Sequence, residues 1–443
     1  MSRKIVTLLL VLSFLISPSI LSCLPVHAKS RTILVPDDFS TIIAAVGNAT
    51  DGDTIFVKKG TYNEPINQTL VINKSISVIG ENVSDTTLLL HPPLVPIVMF
   101  PDTRLVGYDF AVKIQDQASL VGLTITSNGA GISISGDRVV LTGNRLNQGV
   151  NIDADGVQII GNTVTFIIVN GNNNTIANNN LTSPSTVNSF ISCKGSYNAI
   201  ANNTIIGYTG ASSNVDGRFN VFYGNTLEKG SIGITGDDNI IGKNKITGGN
   251  INLERSSNNT IFANRIINGG GLGMGIGYNN SFFANEMVGN TIGFIIGGSK
   301  TANNTFYHNN LIGNIHQVWT GMGDHGTEYF DNGKEGNYWS DYNGTDDNND
   351  GVGDVPHLVY GTYYGEGDRL TTTLLGRDSY PLMTPFDINS VTVRLPEWAS
   401  SELQGSDPQV AEPPSATLVT IASIASVALV VAGALVYFKK RKR

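Results

Sequence analysis

The chain has 443 residues, a formal net charge of −8, two cysteines and 40% hydrophobic residues. Thirty-six acidic residues against 28 basic ones exclude a protein built to grip nucleic-acid phosphates. Two cysteines exclude a disulfide-stapled framework, and a chain this long has ample residues for a hydrophobic core.

Residues 1–28 read as a signal peptide. Arg3 and Lys4 form its basic start, Ile5 to Ile16 its apolar stretch, and Val26-His27-Ala28 its small-residue cleavage site. Leu21-Ser22-Cys23 offers a lipid-modified start as the alternative. Removing Arg3, Lys4 and the five residues of the basic tail leaves 21 basic against 36 acidic residues in the segment 29–415, a formal charge of −15. That segment keeps one cysteine, Cys193. It falls where neighbouring repeats place isoleucine, so a buried, inert thiol is expected.

Residues 29–118 are expected to hold an N-terminal cap and the first coils. Asp37 to Gly47 carries Phe39, Ile42, Ile43 and Val46 at helical spacing. Such a helix would cover the open strand edges of a stacked structure. Gly52 to Val57, Ile76 to Gly80 and Leu120 to Ile125 then read as short strands.

Residues 119–312 repeat one phrase nine times: an apolar residue, then Asn at the third position after it, then another apolar residue two further on. The asparagines are Asn144, Asn162, Asn179, Asn203, Asn225, Asn244, Asn264, Asn285 and Asn309, 17 to 24 residues apart. This period, with strands of a few residues, marks a solenoid. Seven copies carry a second Asn two residues ahead of the first apolar position, from Asn174 and Asn198 to Asn304. Short alternating strands such as Ile132/Ile134 and Ile251/Leu253 complete each coil. Three strands and three bends per coil describe a parallel β-helix with stacked asparagines. A leucine-rich repeat shares the period but needs many leucines and a long return arm. The repeated Asn is expected to supply the left-handed backbone that a bend needs. About twelve coils at roughly 4.8 Å predict a rod on the order of 55–60 Å long. Eleven Asn-x-Ser/Thr sequons, among them Asn173, Asn202, Asn258, Asn279 and Asn303, permit glycosylation on exposed turns.

Residues 313–395 lose the repeat and form a C-terminal cap rich in Trp, Tyr and acidic residues. Residues 396–415 read as a stalk, Ala416 to Phe438 as an uncharged transmembrane helix, and residues 439–443 as a basic cytoplasmic tail. The expected place is the cell membrane, single-pass, with the N-terminal domain outside.

Thr41-Ile42-Ile43-Ala44-Ala45-Val46 followed by Gly52-Asp53-Thr54-Ile55 resembles the entry of pectin-lyase-like β-helix proteins. Gly336-Asn337-Tyr338-Trp339-Ser340-Asp341-Tyr342, then Asp350-Gly351-Val352-Gly353-Asp354 and Asp378-Ser379-Tyr380-Pro381-Leu382, resembles NosD-type proteins. The resemblance implies a right-handed helix and a surface or periplasmic protein of a kind common in archaea. It also implies copper, since the family takes its name from a factor that helps mature a copper reductase.

Soft or imidazole ligands for copper cluster near the cap: His308, His316, Met322, His325, His357 and Met383, with His91 apart. None of them sits at a recognised metal spacing. For calcium, Asp346, Asn348, Asp350 and Asp354 stand at positions 1, 3, 5 and 9 of a loop. Gly351 is at position 6 and the Val352 carbonyl at position 7. His357 replaces the usual glutamate, and no helices flank the loop. Polysaccharide cleavage would need carboxylates converging across coils. Asp237-Asp238 is the nearest candidate, but the same turn in other coils holds Ser196-Tyr197 and Ser257-Asn258. The residues therefore point to a non-catalytic surface protein that binds or displays toward a glycan or envelope component. Copper handling and a polysaccharide lyase or hydrolase are the alternatives.

Overall fold

The computed structural model describes residues 30–99, 103–182, 189–297, 301–321 and 326–404. The first apolar position of the repeat builds one wall. Thirteen parallel strands stack in chain order from Thr32–Val35 to Thr305–Tyr307. Their central residues pair in register, as in Ile33 on Ile55, Leu141 on Ile159, Ile176 on Ile200 and Phe282 on Phe306. All are buried. The second apolar position builds the next wall through pairs such as Val164 on Leu181, Ile246 on Ile266 and Met287 on Leu311. A third wall runs from Leu70–Ile72 to His316–Thr320. Three-walled coils stacked this way are a right-handed parallel β-helix of about 12 turns, about 58 Å long at a 4.8 Å step.

The repeated asparagines are inside. Asn203 accepts from the Asn179 amide at 2.9 Å and from its Nδ2 at 3.0 Å. Its own Nδ2 donates to the Ile176 carbonyl at 2.8 Å and to Asn225 at 3.0 Å. The same pattern links Asn144 to Asn309. The second asparagine forms a parallel ladder from Asn174 to Asn304. The expected bend conformation needs a correction. The residue ahead of each ladder Asn, not the Asn itself, has positive φ: Asn178, Asn202, Lys243, Ala263 and His308 in one column, Tyr197, Phe219, Asp238 and Asn258 in the other. The ladder Asn is recruited for its hydrogen bonds, and the residue before it takes the left-handed turn. Sequon residues Asn173, Asn202, Asn258, Asn279 and Asn303 all occupy such positions and are solvent-exposed.

The ends depart from the repeat. Helix α1 (Ile42–Asn48) starts later than its periodicity suggests, because Thr41 is its N-cap while Asp38 accepts from the Leu34 amide instead. Ile42, Ala45 and Val46 pack onto the first coils. Buried Glu64 takes the free amides of Ile42 and Ile43 at 2.8 and 3.1 Å. At the other end the repeat runs one rung past Ile312. Asn309 donates to Asn337, Leu311 pairs with Trp339, and Phe330 stacks on Phe306. A 28-residue step from Asn309 to Asn337 hides that rung in the sequence. Each ladder then ends on a buried carboxylate: Asn337 donates to Asp378, and Asn304 to Glu328. The antiparallel hairpin His357–Tyr364 and Leu370–Asp378 closes the cap.

The chain then doubles back. The Phe386 ring stacks on His308, and its backbone hydrogen-bonds both ends of the Asn310 amide. From there it runs along the outside of the rod to helix α2 (Glu397–Gln404), which packs on the eighth strand, Ala199–Ala201. Ala399 is buried and Trp398 meets Tyr197 edge-on. The first part of the segment expected as a stalk is thus helical and docked. No helix among the described residues is long and apolar enough to cross a membrane. The expected signal peptide, transmembrane helix 416–438 and tail 439–443 lie outside the described residues.

Candidate functional site

The returning C-terminal segment makes one flank of the rod concave. Its underlying wall carries a row of aromatic rings: buried Phe262 stacks on half-buried Phe283, and Phe283 on half-buried Tyr307, at 5.6 and 5.2 Å. Tyr223 lies 6.3 Å from Phe262 because the coil between them contributes Gly242, where a side chain would strike the Phe262 ring. A groove of about 550 Å³ lies between this wall and the returning segment. Asn202, Tyr223, Val393, Arg394, Leu395, Glu397 and Ser400 line it. Further along, a cleft of about 210 Å³ is lined by Lys243, Lys245, Ala263, Arg265, Glu286, Ile388 and Asn389, with Asn244 beneath. At the adjacent corner Tyr197 and Phe219 stack at 5.0 Å, each about 40% exposed. Sequence reading named none of these as a site.

Asp237 and Asp238 hold a turn. Both pair with Arg218, at 3.8 and 2.7 Å, and Asp237 also accepts from the Ser257 amide at 2.9 Å. Their oxygens are taken up locally, and among the described residues they join no larger cluster of His, Cys, Asp or Glu. Cys193 is fully buried, and burial pushes its thiol up to about 12. The folded chain should therefore resist maleimide at Cys193, with labelling appearing at that peptide only in denaturant. Labelling of the folded chain at the rate of a free thiol would show that the coil opens there.

Among the described residues the candidate copper ligands do not converge. His308 stacks on Phe386 and lies 2.6 Å from Glu335. His316 meets Trp319 edge-on, His357 stacks on Trp339, and His91 contacts Asn63. Met322 and His325 lie outside the described residues. The proposed calcium residues share one exposed loop, but their side chains serve the loop's own amides. Asp346 accepts from Asp350 and Gly351, Asn348 from Asp350, Asp350 from Val352, and Asp354 from Asp347. Among the described residues no group of three or more His, Cys, Asp or Glu is placed to hold a metal. Among the described residues, then, no donor set is gathered that would hold a copper ion.

The stacked walls define the chain as a right-handed parallel β-helix. Residues 206–344 match the family model described as periplasmic copper-binding protein (NosD), so the match to the family that the sequence resembles extends over about a third of the chain. Among solved structures it is similar to the Dettilon tailspike protein (gp208), at 15% identity and TM-score 0.50, covering 65% of this chain and 68% of that one. It is also similar to the PL6 family alginate lyase AlyGC, at 13% identity and TM-score 0.50, covering 83% of this chain and 59% of that one. At such identities the likeness shows the fold alone. No curated protein sequence matches the chain.

Proposed function

We propose that this protein is a non-catalytic, envelope-associated rod that binds a glycan along its flank. The observation that carries this reading is the groove of about 550 Å³ beneath residues 393–400. It offers the Tyr223 ring with an amide, a hydroxyl, a guanidinium and a carboxylate. A sugar needs the same mixture: an aromatic surface for its C–H face and polar groups for its hydroxyls. A tailspike and a polysaccharide lyase as fold neighbours agree with a β-helix carrying such a groove. Copper handling, suggested by the family's description, has no converging donor set to support it among the described residues. Screening the full chain against immobilised neutral and acidic oligosaccharides should give binding that Tyr223→Ala and Arg394→Ala both weaken. Binding that neither change affects, or no binding to any glycan, sinks the reading.

A structural calcium in the cap is a separate expectation, resting on the ligand spacing of Asp346, Asn348, Asp350, Val352 and Asp354 and on the positive φ of Gly351. A cation would have to draw Asp350 and Asp354 toward Asp346 from the amides they now serve. Calcium titration should raise the melting temperature, because a ligand that binds only the folded state stabilises it. Asp346→Ala with Asp350→Ala should abolish the rise. An unchanged melting temperature at millimolar calcium would leave the loop closed on its own amides.

A further inference from the structure

We infer that the cleft at Lys243, Lys245 and Arg265 is the subsite for the carboxylate of an acidic sugar unit, a uronate in a polysaccharide chain. The inference rests on the glycan-binding reading above and names the class of glycan. Lys245 and Arg265 are paired in register on adjacent coils, so two cations stand one strand spacing apart, about 4.8 Å between backbones. Like charges directly opposite one another on neighbouring strands destabilise a sheet. Lys243 adds a third cation at the left-handed corner of the same coil. The only carboxylate lining the cleft is Glu286, and it is engaged with the Arg265 Nε at 2.6 Å. Among the described residues neither Lys243 nor Lys245 is ion-paired. Asp387, next in chain to the cleft, caps the Asn389 amide at 3.0 Å.

This positive charge is concentrated in a segment whose formal charge is −15. It is also concave, where low-dielectric walls focus a field on an incoming anion. The Ile388 side chain gives the cleft an apolar rim, and Asn389 brings an amide. At about 210 Å³ the cleft is smaller than the ~300–1,000 Å³ of drug-sized sites and suits one sugar unit rather than an oligomer. The wider groove lies further along the same returning segment, so a polysaccharide lying along the rod could place neutral faces on Tyr223 and a carboxylate at the lysines. No bond is made or broken: the cations only pair with a carboxylate that is already ionised.

The test uses the purified full-length chain, an oligogalacturonate, a neutral galactan oligosaccharide and sodium sulfate at matched ionic strength. The oligogalacturonate should bind more tightly than the neutral oligosaccharide, and its affinity should fall as salt is raised. Lys245→Gln and Lys243→Gln should each weaken it by about tenfold, the scale of one lost charge-assisted contact, with the melting temperature unchanged. The neutral oligosaccharide should be indifferent to both changes. Two oligosaccharides bound equally, with neither lysine variant selective, would overturn the acidic-sugar assignment while leaving the glycan reading intact. Sulfate competing as well as the oligogalacturonate would reduce the site to a general anion pocket and overturn it too. Oligogalacturonate binding that depends on the lysines but not on Tyr223 or Arg394 would uphold the cleft and sink the wider groove.

Discussion

Replacing Asn203 with leucine is expected to lower the melting temperature far more than replacing Ser196 with alanine. Asn203 is buried and bonds the coils on both sides. Leucine matches its bulk but leaves the Asn179 amide, the Ile176 carbonyl and part of the Asn225 side chain without partners. Each unpaired buried group costs about 1–3 kcal/mol. Ser196 stands in an exposed turn, where its hydroxyl accepts from the Arg218 amide at 3.2 Å and water can substitute. Thermal unfolding followed by circular dichroism separates the two. A solenoid need not unfold in one step, so loss of the wild-type transition's sharpness counts with its midpoint. Equal curves for the two variants would show that the ladder does not hold the coils together.

Asp378 should be the most sensitive single residue of the cap. It is fully buried and accepts from the Asn337 amide at 2.7 Å, the Trp339 indole at 2.9 Å and the Tyr380 amide at 3.1 Å. Gly336 lies so close that any side chain there would strike the Asp378 carboxylate. Alanine at 378 orphans three donors, at about 1–3 kcal/mol each. Trp339 should then show a red-shifted emission, and proteases should cut the hairpin 357–378 first. Burial also raises the Asp378 carboxyl from its ordinary 3.8 to about 6, outweighing its donors. The folded chain therefore holds this proton more tightly than the unfolded chain between about pH 4 and pH 6. The stability Asp378 contributes is full below about pH 4 and falls as pH rises toward 6, by an amount on the order of 3 kcal/mol. Asp378→Asn should flatten that part of the pH profile. A wild-type melting temperature that instead climbs from pH 4 to pH 6, with no difference for the Asn variant, would mean the carboxylate is ionised throughout.

The β-helix was legible because one coil repeats its demands on the next. An inward position that must be apolar in one rung must be apolar in all of them, and a stacked amide must recur to find its partner. The rung at Phe330, Asn337 and Trp339 was missed because an inserted turn stretches its spacing. The αL position was misplaced by one residue. Sequence shows that a bend is rich in Asn but not which of two neighbours is buried, as Asn202 and Asn203 illustrate. The carboxylate ends of the ladders were invisible, since Asp378 reaches Asn337 across 41 residues of cap. The stalk reading took its cue from the polar composition around Ser400 and Ser401. Trp398 and Ala399, which make the docking contacts, are too few to alter that average. The basic cleft needs the coil register that sets Lys245 beside Arg265, and that register emerges only once coils of unequal length are aligned.

The doubling-back of residues 386–404 decides where any tether would pull. Helix α2 packs on the eighth of thirteen rungs, about 24 Å short of the last one at 4.8 Å per step. A membrane anchor placed after that point would grip the rod near its waist. A pull from there would act on the side of the rod and not on its tips.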